Sequence, residues 1–312
     1  MRFKRLDLNL LVAFDHLVTL KSVSRAADKM FMSQSAMSNA LNRLRQYFDD
    51  PLLVQVGKRM EVTPRAEAMH PAIKEILVRI EATIDTHPDF DPTETSRAFN
   101  VLVSDYSLRV LIPRVLTEME RQGARVRLNL LTQSSTPHTM LERGDADLLI
   151  SPDVFISTEH PSALLFEDVY VVIACAQGPH ADCTMDLERY STARHAVMVP
   201  PNTSGMSIPV EESYLKKLGI TRRVDLTTFS FSSLPYLVAG TGCIATVHGL
   251  LAEQSAASAG IVSFPMPFNM PKFRQMVQWH SYRDQDPGIQ WLRDVFVTAG
   301  ASLAIHRKDE CT

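Results

Sequence analysis

Residues 22–48 read Ser-Val-Ser-Arg-Ala-Ala-Asp-Lys-Met-Phe-Met-Ser-Gln-Ser-Ala-Met-Ser-Asn-Ala-Leu-Asn-Arg-Leu-Arg-Gln-Tyr-Phe. Two helical patterns meet at Phe31-Met32. In the first, Val23, Ala26, Ala27 and Met30 recur at i, i+3, i+4 and i+7, which places them on one face of a helix. In the second, which opens on Ser33, the apolar face is Ala36, Met37, Ala40, Leu41 and Leu44. Its other face carries Ser35, Ser38, Asn39, Asn42, Arg43 and Arg45, with Ser33 and Gln34 at its start. Small polar groups early and arginines late suit a helix whose N-terminal end reads the major groove. The same polarity also serves an ordinary solvated surface helix.

Working outward, residues 6–20 give a preceding helix with Leu6, Leu10, Ala13, Phe14, Leu17 and Leu20 on one side. Ser22 or Ser24 can cap the helix that follows by accepting a bond from its free N–H groups. Pro51 disfavours continuation of the second helix. Residues 52–62 are β-rich around Gly57-Lys58-Arg59 and predict a hairpin with a basic tip. Helix-turn-helix plus basic hairpin makes a winged helix-turn-helix over residues 1–63. Its DNA candidates are Ser24, Arg25, Ser33, Gln34, Ser35, Ser38, Asn39 and Arg43, with Lys58 and Arg59 for phosphates. Arg45 is set aside, since it can pair with Asp49 at i, i+4.

Thr63 as N-cap and Pro64 at the first helical position start a long helix that runs to about Ile84. Ala66, Met69, Ile73, Ile76, Leu77, Ile80 and Ile84 form a seam along it. With no sequence-adjacent helix to cover that seam, Met69, Ile73, Ile76, Leu77 and Ile80 are candidates for pairing with a second copy. The other way to bury them is against the helix's own domain. Residues 64–96 are thus linker helix and hinge, the last part rich in Pro and Asp.

From residue 97 onward strands and helices alternate, which argues for parallel sheets covered by helices. Strands are expected at 99–103, 125–132, 146–151, 165–174, 195–199, 243–247, 261–264 and 274–281. Helices are expected at 109–120, 136–143, 208–218, 233–239 and 286–303. Two chain crossings divide 97–312 into two α/β lobes, 97–165 plus 268–312 and 166–267, with a cleft between them.

Ligands of open α/β sheets bind outside the carboxyl ends of strands, at helix N-termini. That rule selects Ser104, Asp105, Tyr106, Thr132, Ser151 and Asp153 from the first lobe. From the second it selects Thr203, Ser204, Phe229, Phe231 and Ser232, with Trp279 as a further ring. Many of these Ser and Thr residues can equally be plain helix caps. Asp105 would repel an anion, so a neutral or hydroxylated aromatic suits the site.

Composition agrees with this division. Residues 1–65 hold 11 Lys and Arg against 6 Asp and Glu, although the whole chain has a net charge of −3. A basic start on an acidic remainder suggests that only the first part meets a polyanion. The N-terminus lacks signal-peptide features, and no stretch reaches the roughly 18 apolar residues of a membrane helix, so a cytoplasmic protein is expected. Cys175, Cys183, Cys243 and Cys311 show no CxxC spacing. Reduced thiols are expected, no metal or cofactor, and a redox role for Cys175, Cys183 or Cys243 stays open.

At this point the chain resembles the LysR-type transcriptional regulators, over nearly its whole length. Leu6-Asp7-Leu8-Asn9-Leu10-Leu11, Ser24-Arg25-Ala26-Ala27, Ser33-Gln34-Ser35-Ala36-Met37-Ser38 and Leu41, Arg43 and Leu44 are similar to the family's opening helix and helix-turn-helix. Pro51-Leu52-Leu53, Thr63-Pro64-Arg65-Ala66 and Gly144-Asp145-Ala146-Asp147-Leu148 resemble its wing, linker helix and regulatory-domain turn. Met1-Arg2-Phe3-Lys4 and Asp286-Pro287-Gly288 through Trp291-Leu292-Arg293 resemble the branch of nodulation (NodD-like) and aromatic-catabolism regulators. Where many members have Pro and Arg, this chain has Ser35 and Asn39, which leaves its base contacts open.

The resemblance implies a periplasmic-binding-protein-like regulatory domain, a small-molecule inducer, dimers assembling into homotetramers, activation of neighbouring genes, and contact with RNA polymerase. Two other readings compete. A transport-type solute-binding protein explains the two lobes but not residues 1–85. Gly240-Thr241-Gly242-Cys243-Ile244-Ala245 fits a dinucleotide fingerprint, yet helix precedes it and strand follows, the reverse of the order such an enzyme requires.

Overall fold

The computed structural model describes residues 7–57, 59–84, 90–133, 136–199 and 210–309. It divides into two compact units, Met1–Thr86 with Glu142–Gly144, and His87–Leu141 with Asp145–Thr312.

In the N-terminal unit, α1 (Leu8–Leu20) starts at Asp7, whose carboxylate accepts from the Asn9 N–H. Next come α2 (Val23–Lys29) and α3 (Gln34–Phe48). Ser22 caps α2 by accepting from Arg25 N–H at 3.3 Å, and Ser33 caps α3 by accepting from Ala36 N–H at 3.1 Å. Between them Phe31 adopts a left-handed φ of 52° and is 98% exposed. The buried faces, Ala26 and Ala27 on α2 and Met37, Leu41 and Leu44 on α3, close on Phe14 and Leu17 of α1 in one core. Ala36, expected on the apolar face, is exposed.

Strands β1 (Leu53–Val56) and β2 (Arg59–Val62) pair antiparallel, Val56 opposite Arg59. Gly57 at φ 62° starts the tight turn, a backbone state that glycine adopts without steric cost. Lys58 lies outside the described residues. Thr63 then does two jobs. Its Oγ1 accepts from Ala66 N–H at 3.2 Å, which caps α4 (Pro64–Ile84), and donates to Asp50 at 2.6 Å. That bond, with another from Leu52 N–H, holds the Asp50 carboxyl below its ordinary range against its slight burial.

Of the two ways to cover the linker helix's seam, a second copy or its own domain, the chain itself uses the second in part: α4 packs on α1. Ala66 and Ile73 enter the core, Met69 and Leu77 flank it, and His70 meets Asp15 of α1 at 2.7 Å. The cause is a shared face: His70, Ile73 and Leu77 follow Ala66 by turns of three and four. Ile76 points elsewhere and is 49% exposed.

The second unit holds two five-stranded sheets. The first half of its chain runs β3 (Ala98–Val103), α5 (Asp105–Val110), α6 (Ile112–Arg121), β4 (Arg127–Thr132), α7 (Pro137–Glu142), β5 (Leu148–Pro152) and β6 (Ser162–Asp168). The chain continues through β7 (Tyr170–Cys175), α8 (Leu187–Thr192), β8 (Arg194–Met198), α9 (Val210–Leu218), β9 (Arg223–Thr228) and α10 (Leu234–Val238). It ends with β10 (Cys243–His248), α11 (Gly249–Ala259), β11 (Ile261–Pro265), β12 (Phe273–Trp279) and α12 (Pro287–Asp309). Strand orders are β4-β3-β5-β12-β6 and β11-β7-β10-β8-β9.

This is the expected two-lobed α/β architecture, with three corrections. The sheets are mixed, not parallel: β12 runs against β5 and β6, and β7 against β10 and β11. These are the strands that carry the chain across. Helical crossovers make β3, β4 and β5 parallel, and likewise β8, β9 and β10, but they do not set the direction of strands that enter from the other sheet. The single strand expected at 165–174 is two, broken where Asp168 bonds the Val169 N–H at 2.7 Å. The helix expected at 109–120 is also two, α5 and α6, with Pro113, which has no N–H to donate, in the first turn of α6. α8, β9 and α11 were not foreseen.

One core runs through both sheets, including Phe99, Ile150 and Val277 from one and Tyr170, Ala245 and Val247 from the other. At their junction Asp168 is fully buried. It accepts from the Tyr106 hydroxyl at 2.7 Å and from Leu250 N–H in the first turn of α11 at 3.1 Å. Of the Gly144–Leu148 motif, Asp147 accepts from Asn100 N–H at 2.7 Å and pairs with Arg283. α12 lies so close on β6 that a Cβ on Gly300 would stand 2.5 Å from the Leu165 carbonyl oxygen.

Tyr106→Phe leaves Asp168 one donor short in a buried place. It should lower unfolding free energy by about 1–3 kcal/mol in urea titration with an unchanged slope.

Candidate nucleic-acid interface and effector site

In the N-terminal unit, the helical spacing that buries Met37, Leu41 and Leu44 leaves Ser35, Asn39 and Arg43, four residues apart, on an exposed ridge of α3. Ser38 is half-buried beside it. Ser33 is engaged as the cap and lies 2.9 Å from the Ser35 hydroxyl. Gln34 opens onto a groove of about 590 Å³, lined also by Lys21, Ser22, Ser24, Arg25 and Arg59. The first residue of the recognition helix, the start of α2 and the base of the wing therefore converge. Arg25 also donates to the Leu20 carbonyl at the end of α1, which fixes its guanidinium near that groove. Three cationic side chains around one groove, beside hydroxyl and amide groups, can hold a phosphate backbone while α3 meets base edges.

Arg45, set aside as a partner for Asp49, does something else. Its Nε and Nη2 donate to the Pro51 and Leu53 carbonyls, each at 2.8 Å, so α3 holds the wing by its own side chain. Lys21 was not singled out in the sequence. It ends α1 at a left-handed φ of 49°, and nothing in the local pattern marks its place in the groove. Of the dimerisation candidates, Met69, Ile73 and Leu77 serve the core of their own chain, Ile80 is half-buried, and Ile76 stands exposed.

In the second unit, parallel pairing of β3 with β4 sets Val103 opposite Thr132, so Ser104 and Thr132 emerge at one end of the sheet. Ser104 caps α5, accepting from Ser107 N–H at 3.1 Å. Asp105 accepts from the Ser230 hydroxyl at 2.7 Å and Ser232 N–H at 2.9 Å, across to the other sheet's loop. Ser151 is buried in β5, while Asp153 beyond it lies 3.5 Å from Arg274. Phe231 is half-buried, 5.4 Å from the His248 ring, and Phe229 is 77% exposed. Thr203 and Ser204 lie outside the described residues.

The structure thus brings together Ser104, Asp105, Tyr106, Phe231 and Ser232, with Thr132, Ser151 and Asp153 at neighbouring strand ends. It separates Trp279 from them. Because β12 runs antiparallel, Gln275 faces Pro152 at the cleft end while Trp279 faces Leu148 at the other. There the indole donates to Asp284 at 2.8 Å. Tyr106 is core, with its ring 4.2 Å from His248 and 5.6 Å from Phe273.

His248, Gln275 and Asp168 were missed. His248 is buried with neither ring nitrogen hydrogen-bonded, and burial pushes it down to about 3. Gln275 donates to the Ser107 hydroxyl at 3.0 Å. A polar residue ending or interrupting an apolar strand run was the available signal for His248 and Asp168. Cys175, Cys183 and Cys243 are free thiols. Gly240 joins helix α10 to strand β10, in the order that opposes a dinucleotide fold.

Comparison with known proteins bears on both units. Residues 8–67 match the bacterial regulatory helix-turn-helix protein model of the lysR family, and residues 93–301 match the LysR substrate binding domain. Nodulation protein D 1 of Mesorhizobium japonicum is 35% identical over 303 residues, covering 97% of this chain and 96% of that one. Nodulation protein D 2 of Bradyrhizobium diazoefficiens is 37% identical over 306 residues, covering 97% and 92%. Among solved structures, a probable transcriptional regulator from Pseudomonas aeruginosa is 29% identical, covers 94% of this chain and 97% of its own, and superposes with a TM-score of 0.66. A full-length OxyR variant from the same organism, 16% identical, shares the fold with a TM-score of 0.69 over 94% of this chain and 95% of its own.

Arg59→Ala should reduce the slope of log affinity against log salt by about one unit on any duplex. Gln34→Ala should instead cost roughly 1–3 kcal/mol at one base pair and leave the slope alone. Fluorescence anisotropy titrations across salt concentrations separate the two.

Proposed function

Because the chain belongs to the LysR family of bacterial transcriptional regulators, we propose that it is an inducer-responsive activator that binds promoter DNA sequence-specifically. The observation carrying this is the exposed Ser35–Asn39–Arg43 ridge beside a groove flanked by Lys21, Arg25 and Arg59. Its α3 enters the major groove, its wing residues Lys58 and Arg59 contact phosphate, and Ser35 and Asn39 set the base preference. The exposed Ile76 and half-buried Ile80 on α4 join a second copy. A pair of recognition helices then reads half-sites one helical turn, about 34 Å, apart. Two such dimers form the working tetramer and engage RNA polymerase from the cytoplasm. The protein catalyses no reaction and needs no cofactor.

The inducer binds where the strand ends of both sheets meet, around Ser104, Asp105, Thr132, Phe229 and Ser232. A neutral, hydroxylated aromatic fits: Asp105 accepts its hydroxyls and disfavours anions, and the exposed Phe229 ring packs on it. The controlled pathway is the catabolism of aromatic compounds or a related one, nodulation being the process in its relatives' names. An inducer acts only by binding one arrangement of the lobes better than another.

DNase I footprinting with the full chain on DNA upstream of its own gene tests this. Salt-sensitive protection is expected, with a pattern that changes when an aromatic compound found by thermal-shift screening is added. Absence of protection at low salt overturns the proposal.

A further inference from the structure

Three consecutive residues in the first turn of α5 each tie this helix to another element, and the ties differ in access. Ser107, buried, accepts from the buried Gln275 on β12. Tyr106, buried, donates to the buried Asp168 between the sheets. Asp105 is only half-buried, and its tie crosses to the loop between β9 and α10.

That loop is built to present donors. Ser230 N–H donates to Thr228 Oγ1 at 3.3 Å, Ser233 N–H donates to Ser230 Oγ at 3.2 Å, and the Ser233 hydroxyl donates to the Ser230 carbonyl at 3.0 Å. With its oxygen already accepting, the Ser230 hydroxyl directs its single proton to Asp105. The Ser232 N–H lies beside it, so one carboxylate oxygen takes two donors. Such charge-assisted bonds are about twice as strong as neutral ones. Partial exposure leaves them open to replacement by an incoming molecule, which the sealed Tyr106–Asp168 bond is not.

We infer that Asp105 is a latch: its carboxylate holds the Ser230–Ser232 loop of one lobe against α5 of the other, and a ligand opens it by supplying the donors itself. This rests on the effector site proposed above and adds the contact that the effector breaks. The Tyr106–Asp168 bond stays closed and serves as the pivot. A ligand bearing a carboxylate toward Asp105 leaves the latch shut, because like charges repel and no donor is offered.

Amide hydrogen exchange on the full chain tests the latch without any ligand. In Asp105→Ala, peptides spanning 229–234 should exchange about tenfold faster than in the wild type, because the Ser232 N–H loses its acceptor. Peptides from β3 and β10 should be unchanged. Equal exchange at 229–234 in variant and wild type overturns the latch. If Asp105→Ala does not fold, Asp105→Asn, which keeps the shape of the side chain and removes its charge, is read by the same criterion with a smaller rise expected. Failure of the regulator proposal shows separately, as a wild-type chain that protects no DNA whatever its exchange pattern.

Discussion

Burying the Asp168 carboxylate between two sheets is a constraint that the effector-binding unit must answer. A buried charge costs several kcal/mol unless hydrogen bonds replace the water it loses. Donors arrive from three places: the Tyr106 hydroxyl on α5, the Val169 N–H of the crossing itself, and the Leu250 N–H. The last lies at the N-terminal end of α11, where the helix dipole favours negative charge. Meeting that need fixes how the first sheet's α5 stands against the second sheet's α11. It also breaks one apolar run into β6 and β7, the point at which the chain changes sheets. Around it Tyr106, Tyr170, Phe231 and Phe273 wrap His248 in rings.

The N-terminal unit solves a different problem. It must stay folded on a small core while keeping a polar helix face free. Capping is done by residues at the helix starts, Asp7, Ser22, Ser33 and Thr63. The hydroxyl, amide and guanidinium groups farther along α3 are thereby spared. The exceptions include Arg45, spent on the Pro51 and Leu53 carbonyls to hold the wing and also donating to Asn42, and Ser35, whose hydroxyl lies 2.9 Å from that of Ser33. The linker helix gains its footing by burying Ala66 and Ile73 against α1, which leaves Ile76 exposed.

Much of this was legible in the sequence because period and punctuation agree there. Apolar spacing gave α1 to α4, Gly57 gave the wing turn, and alternation gave the two lobes. What escaped depends on contacts remote in sequence. Trp279 looked like a cleft residue because strand direction is not written in a strand's composition, and antiparallel pairing of β12 carried it to the far end. The α4 seam left open a second copy or its own domain, because the contacts that decide it, such as His70 with Asp15, lie 55 residues apart. Asp105 was read as a bar to anions; the two donors that already occupy it come from residues 125 and 127 positions downstream.

The proposed function stands or falls on whether the α3 ridge reads DNA in the cell. Its most direct test is a genome-wide map of DNA crosslinked to the full chain, compared with the same chain carrying Ser35→Ala and Asn39→Ala. Enrichment at a few discrete promoter sites, sharing an inverted repeat and lost in the double variant, is the predicted result. A map with no enriched sites, or one that the double substitution leaves unchanged, would contradict it.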